Sequence, residues 1–255
     1  LKASNMTRTS DDFYPEIPES HGEHIYKNAV NSLFTRDITL CDWDMFMTDH
    51  EFGAFHAAAR AVSGGPVYVT DKIGEHDFNV IAALRMSDGT VPMCTETAVP
   101  TVDCLMQNPK TSDAPFKIMN RNKFGTVIAA FNMNKDENEV SGKLDFLCYS
   151  YKKQAAVSGG FSVSAKDFDI FTKPDITDGF GIFGLTKFYN MGGTVDEFKI
   201  IDGCAYIKLL DTGRCAAYCD VQPKEVICGG KQIGFSYDNG LVFFDADDKE
   251  VLIKK

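Results

Sequence analysis

Residues 1–85 alternate between short apolar runs and segments whose apolar residues recur at helical spacing. Segments 20–34, 49–62 and 75–84 have the helical spacing and predict three helices. Apolar runs at 37–46 and 67–70, and the residues leading to Arg8, predict the strands that precede them. This alternation of strand and helix favours parallel strands covered by helices.

Local signals predict where these helices begin and end. Ser20 and Glu23 match the Ser-x-x-Glu capping box, and Asp49 is the expected N-cap of the second helix. Gly64 and Gly65 are expected to stop that helix, because glycine readily adopts the left-handed backbone of a helix C-terminus.

From residue 86 onward, turn-rich segments separate short β-type runs, which lie at 116–120, 125–133, 143–151, 161–171, 180–190, 195–210, 213–220, 231–246 and 250–255. Asn239-Gly240 lies inside the run 231–246 and predicts a two-residue type I′ hairpin there. Many short strands with frequent turns are typical of a β-sandwich.

The predicted fold is therefore α/β plus all-β. Residues 1–88 are interpreted as the last βα units, the C-terminal part, of a (β/α)8 catalytic barrel. Residues 89–255 are interpreted as a C-terminal antiparallel β-sandwich domain.

Charge and composition exclude some partners. The net charge of −10 argues against nucleic acid and against an anionic membrane. The sequence contains no run of about 18 apolar residues, so no transmembrane helix is predicted. The eight cysteines form no CxxC pair, so scattered reduced thiols are expected rather than a disulfide framework or a metal site.

The chain begins Leu-Lys-Ala-Ser-Asn-Met, with neither an initiator methionine nor a secretion leader. We interpret it as a piece of a longer protein, with a cytoplasmic location expected. A half-barrel leaves sheet edges and helix faces exposed. The piece is therefore predicted to be stable only beside its missing N-terminal part or in an oligomer.

Charged side chains stand at the ends of three successive predicted strands. They are Arg8 with Asp11 and Asp12, then Asp42-Trp43-Asp44, then Asp71-Lys72. Catalytic groups of (β/α)8 barrels lie at the C-terminal strand ends. An aspartate before a helix is more often a simple N-cap; three such sites in succession favour an acid-lined pocket.

Carboxylates beside an arginine and an indole suit sugar chemistry. Glycoside hydrolysis uses one carboxyl group as an acid and a second as nucleophile or base. Sugar hydroxyls donate to carboxylates, and pyranose rings stack on tryptophan. No metal or organic cofactor is required.

Four stretches carry a family resemblance: RTSDDFYP from Arg8, DWDMF from Asp42, FHAAARAVSGGPVYVTDKIGEHDF from Phe55, and NRNKFGTVIAAFNMN from Asn120. Together they resemble the raffinose synthase and seed-imbibition-protein branch of glycoside hydrolase family 36, which is related to the α-galactosidases. The resemblance implies a retaining mechanism on α-galactosidic bonds that uses two aspartates.

The resemblance also implies residue roles. The acid/base aspartate follows an arginine at the end of the sixth barrel strand, which selects Asp12 by its spacing from Arg8 or Asp11 by the Ser-Asp-Asn text of bacterial members. Arg8, Asp42, Trp43, Asp44 and Asp71 are the expected substrate-binding residues. Asp71 and Lys72 could equally form a salt bridge within their loop. The nucleophile is expected upstream of Leu1, so this piece alone is predicted to be inactive.

Two functions remain open from the sequence. The first is part of an α-galactosidase or α-galactosyl-transfer enzyme that acts on raffinose-type oligosaccharides. The second is a non-catalytic carbohydrate-binding or interaction protein that retains the glycosidase scaffold.

Overall fold

The computed structural model describes residues 5–255, so residues 1–4 of the predicted barrel segment lie outside the described residues. Three α-helices are α1 (Ser20–Thr35), α2 (Gly53–Ser63) and α3 (Phe78–Leu84). The first strands are β1 (Met6–Arg8), β2 (Leu40–Asp42) and β3 (Val99–Pro100). In the part of the chain that the structure describes, no helix combines the length and apolar composition that crossing a membrane requires.

The remaining strands follow one another with short connections. They are β4 (Phe116–Asn122), β5 (Gly125–Phe131), β6 (Val140–Ser150), β7 (Ala155–Val163), β8 (Phe168–Pro174), β9 (Phe180–Leu185), β10 (Val195–Ile201), β11 (Cys204–Leu209), β12 (Gly213–Cys219), β13 (Glu225–Cys228), β14 (Lys231–Ile233), β15 (Phe235–Asp238), β16 (Leu241–Ala246) and β17 (Glu250–Lys254).

Helix starts depart from the sequence prediction, whereas one helix end confirms it. Ser20 is the first residue of α1 rather than its cap, and its hydroxyl donates to the Ile17 carbonyl at 2.7 Å, so the predicted capping box is wrong. Phe52, not Asp49, precedes α2. Gly64 ends α2 with φ of +78°, and a Cβ there would overlap the Glu96 carbonyl.

The N-terminal part contains parallel pairing. Strands β1 and β2 pair in parallel with Arg8 opposite Asp42. The predicted strand at 67–70 is reduced to one parallel bridge, between Phe46 and Val69. These pairings agree with an α/β arrangement, while closure into a barrel stays a prediction.

The C-terminal part is antiparallel throughout its described strand pairs, as predicted. Its sheets have the orders β3-β4-β5-β8-β6-β7, β15-β16-β12-β9 and β10-β11-β17-β13-β14. The four-stranded and five-stranded sheets enclose a core that includes Ile182, Ile207 and Val242. Asn239 and Gly240 both have positive φ between β15 and β16, which confirms the predicted two-residue hairpin.

Helices α1 and α2 pack on the six-stranded sheet. One core cluster joins Ile25 and Val62 of these helices to Ile118 and Phe131 of β4 and β5. The change in secondary structure near residue 88 therefore does not separate two hydrophobic cores. The six-stranded antiparallel sheet therefore packs against both helices.

Candidate active site

The ends of β1 and β2 bring charged side chains together. Arg8 and Asp42 are register partners, and the Thr9 amide donates to the Asp42 carbonyl at 3.0 Å. Because the two strands are parallel and in register, the residues that follow them leave the sheet at the same edge. The predicted groups at the ends of β1 and β2 thus lie at the same edge of this sheet.

Arg8 bridges two carboxylates. Its Nη1 lies 2.8 Å from Asp12 Oδ1 and 2.9 Å from Asp44 Oδ2, and its Nη2 lies 2.9 Å from Asp12 Oδ1. The Asp44 side chain is 4% exposed, whereas that of Asp12 is 64% exposed. Partial burial opposes the charged form of Arg8, but its hydrogen bond to Asp44 and the charges of Asp44 and Asp12 raise its pKa overall.

Asp44 occupies a left-handed backbone conformation with φ of +65°. Aspartate tolerates this region better than most residues with a side chain. The Asp44 amide donates to Asp42 Oδ1 at 2.9 Å, and the Phe13 amide donates to Asp44 Oδ2 at the same distance. The turn after β2 therefore points a buried carboxylate toward Arg8.

Asp42 binds a tyrosine that was not among the predicted site residues. The Tyr68 hydroxyl lies 3.0 and 2.9 Å from the two oxygens of Asp42. Partial burial, the hydrogen bond to Asp42 and the nearby carboxylates raise the pKa of Tyr68 to about 12. Tyr68 belongs to the family-like stretch, which was the available sequence signal.

Asp11 has a different partner from Asp12. Its Oδ2 lies 2.9 Å from Nζ of Lys27 on α1. The hydrogen bond to Lys27 lowers the pKa of Asp11 below its ordinary value. An open groove of about 470 Å³ runs past Arg8, Ser10, Asp11 and Lys27.

Two predicted substrate-binding residues are structural here. Trp43 has no exposed surface, and its indole N–H donates to Ser32 Oγ at 3.2 Å, so it cannot stack on a sugar in this conformation. The Asp71 side chain is also fully buried. It accepts hydrogen bonds from the Thr48 hydroxyl at 2.6 Å and from His76 Nδ1 at 3.0 Å, which favours the role in loop structure. Lys72 lies near Glu75 instead.

A polar face of α1 was missed by sequence reasoning. His21, His24, Asn28 and Ser32 are buried along one side of the helix, beside Ile25 and Ala29. His24 Nε2 lies 3.0 Å from Ser10 Oγ and 3.6 Å from Asp44 Oδ2. These polar residues recur at intervals of three and four, which is helical spacing. A search for apolar residues at that spacing does not detect them.

Comparison with known proteins decides the family. Residues 1–177 match the family described as raffinose synthase or seed imbibition protein Sip1. The chain belongs to this family. This confirms the branch inferred from the four sequence stretches.

Relatives of known name align over most of the chain. A stachyose synthase from Pisum sativum is 30% identical over 292 positions, which cover 92% of this chain and 34% of that protein. A probable galactinol–sucrose galactosyltransferase 6 from Arabidopsis thaliana is 29% identical over 305 positions, which cover 100% of this chain and 41% of that protein. The chain therefore spans well under half the length of these relatives.

A solved structure has a weaker similarity. A GH27 β-L-arabinopyranosidase from Geobacillus stearothermophilus, in complex with arabinose, has a TM-score of 0.48 and 10% identity to this chain. The similarity covers 68% of this chain and 46% of that protein. It is too low to support an argument about the raffinose synthase family site.

Proposed function

We propose that this chain is part of a retaining enzyme that transfers or hydrolyses α-galactosyl groups of raffinose-type oligosaccharides. The observation that carries the proposal is the position of Arg8 at a strand end between buried Asp44 and exposed Asp12. The names of two relatives, a stachyose synthase and a probable galactinol–sucrose galactosyltransferase, support the choice of substrate class.

Asp12 is the proposed general acid/base. Its carboxyl group gives a proton to the glycosidic oxygen as the bond from that oxygen to the galactosyl carbon breaks and a nucleophilic carboxylate bonds to the carbon. In the second step, the Asp12 carboxylate takes a proton from water or from a sugar hydroxyl, whose oxygen then bonds to the same carbon and releases the enzyme carboxylate.

Asp11 is the alternative candidate for that role. Its carboxylate is bound to Lys27, which lowers its pKa, whereas Asp12 lies four residues after Arg8 and is the carboxylate that Arg8 binds. Arg8 and Asp44 hold the orientation of Asp12, whose side chain is exposed toward solvent. Asp42, with Tyr68 bound to it, is proposed to face the sugar beside this cluster.

A retaining site needs a second carboxyl group about 5–5.5 Å from the first. We propose that this nucleophile belongs to the part of the enzyme outside this chain, and that residues 1–88 contribute the last βα units of a barrel. The chain on its own is then inactive.

The test replaces the two candidate acids in the full-length enzyme. Asp12→Asn and Asp11→Asn are assayed on an aryl α-galactoside, whose good leaving group needs little protonation. In Asp12→Asn the first step is retained and the second is slowed, so an initial burst of aryl alcohol appears; added azide, which needs no base, restores turnover.

Wild-type rates in both variants would overturn the acid/base assignment and favour the non-catalytic carbohydrate-binding alternative. The same pattern of burst and rescue in Asp11→Asn, with normal turnover in Asp12→Asn, would move the role to Asp11.

Exposed apolar side chains support the proposal that the rest of the enzyme covers this part. Phe34, Ile38, Ile73 and Phe78 are large, apolar and exposed on the helical part of the chain. Sedimentation of the isolated chain is expected to show self-association. A stable monomer at micromolar concentration would contradict the proposal that the rest of the enzyme covers these side chains.

A further inference from the structure

A series of hydrogen-bonded side chains runs from Ser10, beside Asp44, into the space between α1 and α2. Arg60 lies at its centre, with Nη1 2.8 Å from His56 Nδ1 and Nη2 3.2 Å from His24 Nδ1. His56 Nε2 in turn lies 2.8 Å from His21 Nδ1. The exposed fractions of Arg60 and the three histidines do not exceed 3%.

The charge of Arg60 is held without an ion pair. Its Nε donates to the Asp44 carbonyl at 3.3 Å, its Nη2 donates to the Met45 carbonyl at 3.2 Å, and Phe46 lies beneath the guanidinium at 5.7 Å. Within residues 5–255, no carboxylate lies at ion-pair distance from Arg60. Burying a cation without a carboxylate partner lowers the free energy of unfolding. The presence of such a cation beside the candidate site therefore indicates a role other than stability.

The chemistry of guanidinium fixes the protons of the imidazoles. Arginine has only donors, so Nδ1 of His24 and Nδ1 of His56 must both accept. Each ring therefore carries its proton on Nε2. His56 Nε2–H then donates to His21 Nδ1, which leaves the proton of His21 on Nε2 as well.

The direction of the hydrogen bonds at the site follows from this. The Ser10 hydroxyl donates to the Asp11 carbonyl at 2.9 Å, so its oxygen is free to accept from His24 Nε2–H. The same N–H faces Asp44 Oδ2 at 3.6 Å. The other tautomer of His24 would turn a lone pair toward two acceptor oxygens.

We propose that Arg60 is a positioning residue of the candidate site: it fixes the Nε2–H tautomer of His24, which keeps Asp44 in the orientation that holds Arg8 against Asp12. The inference rests on the proposed role of Asp12. Arg60 acts through His24 and Asp44 and does not itself touch the sugar.

Histidine ring NMR of the full-length enzyme tests the proton pattern directly when segmental labelling confines the ¹⁵N-histidine to this chain, which has only five histidines. In protein labelled with ¹⁵N-histidine, at pH 7.5, long-range ¹⁵N–¹H correlation spectra are expected to show His21, His24 and His56 as Nε2–H tautomers. Arg60→Met is expected to give mixed tautomers at His24 and His56. Arg36→Met, which removes an exposed arginine just after α1, is the matched control and is expected to leave the spectrum unchanged.

A wild-type spectrum with the proton on Nδ1 of His24 or His56 would overturn the inference, and this measurement needs no variant to fold. Unchanged tautomers in a folded Arg60→Met would overturn it too.

A kinetic measurement on the full-length enzyme tests the positioning role. Arg60→Lys keeps the charge but cannot donate as a planar fork to both rings. Its kcat is expected to fall about tenfold, because small misplacements of catalytic groups are costly, while KM changes less than about twofold. A wild-type kcat would overturn the role. If the Asp12 variants show wild-type rates while the NMR spectrum shows the expected tautomers, the proposed function is wrong but the proton pattern stands.

Discussion

Nη1 of Arg8 lies 2.9 Å from Oδ2 of Asp44, a carboxylate with almost no exposed surface. The guanidinium is therefore tied to the interior on one side and presents its hydrogen bonds to Asp12 on the other. A buried anion fixes the cation that orients an exposed acid. This arrangement leads to a direct test of Arg8.

Arg8→Met removes the cation and leaves the buried Asp44 carboxylate without it. The free energy of unfolding is expected to fall by about 1–3 kcal/mol, as for other hydrogen bonds to charged groups. Urea unfolding of the full-length enzyme measures this change. Arg8→Lys keeps a charge and should recover part of the loss; a stability equal to wild type in Arg8→Met would show that the contact with Asp44 is not needed.

Stability should depend on pH through the buried histidines. Burial lowers the pKa of His21 and of His24 to about 4, below their ordinary value of 6.5. As the pH falls from 6.5 toward 4, the unfolded chain binds protons that the folded chain does not. The free energy of unfolding should therefore decrease by a few kcal/mol over this range and be insensitive to these groups above it.

Urea midpoints at pH 7.5, 6, 5 and 4.5 measure this dependence. His76→Gln is the matched control, because His76 lies partly exposed beside Asp71 and outside the buried series, and the slope should persist in it. Asp211, whose pKa is lowered to about 2, contributes below the ordinary value of 3.8 and so falls in a separate window. Midpoints that stay constant from pH 6.5 to 4.5 would contradict the prediction.

Trp43→Phe distinguishes a core residue from a sugar platform. Loss of the indole N–H leaves Ser32 without one partner, and the free energy of unfolding should fall by about 1–2 kcal/mol. KM for an α-galactoside in the full-length enzyme should not change. Ser32→Ala removes the same bond from its other end, and a rise in KM in Trp43→Phe alone would restore the sugar-binding role.

Asp71→Asn tests the loop connection between α2 and α3. The carboxylate accepts from Thr48 and from His76, and an amide would place a donor against one of them. We expect a loss of about 1–3 kcal/mol in the free energy of unfolding. Lys72→Met, at an exposed lysine near Glu75, should change it by less than about 0.5 kcal/mol. Equal effects of the two substitutions would argue against the buried role of Asp71.

The β-region was largely predictable from sequence because its signals are local. Alternating apolar residues and the Asn239-Gly240 turn each specify their structure within a few residues. Arg8, Asp12 and Asp44 were also found as strand-end groups, since parallel strands place their ends at one edge.

Tertiary contacts decided what the sequence could not show. Trp43 sits in a motif typical of a sugar site, yet the packing of α1 against β2 buries it. Ser20 matches a capping pattern, but its hydroxyl finds carbonyls of the preceding turn instead. The hydrogen-bonded series of His21, His24 and Arg60 joins two helices, α1 and α2. The pattern of residues within one helix does not show which side chains of another helix it will contact.

The buried thiols can report when the sheets of this chain open transiently, because a buried thiol reacts only when it becomes exposed. All eight cysteines are unbridged; seven are buried, and Cys204 is partly accessible. A dilute alkylating reagent will mark Cys204 first, while Cys148 in β6 and Cys215 in β12 must wait for their strands to separate. The order in which the alkylated peptides accumulate would show which sheet opens first, and no added reporter group is needed.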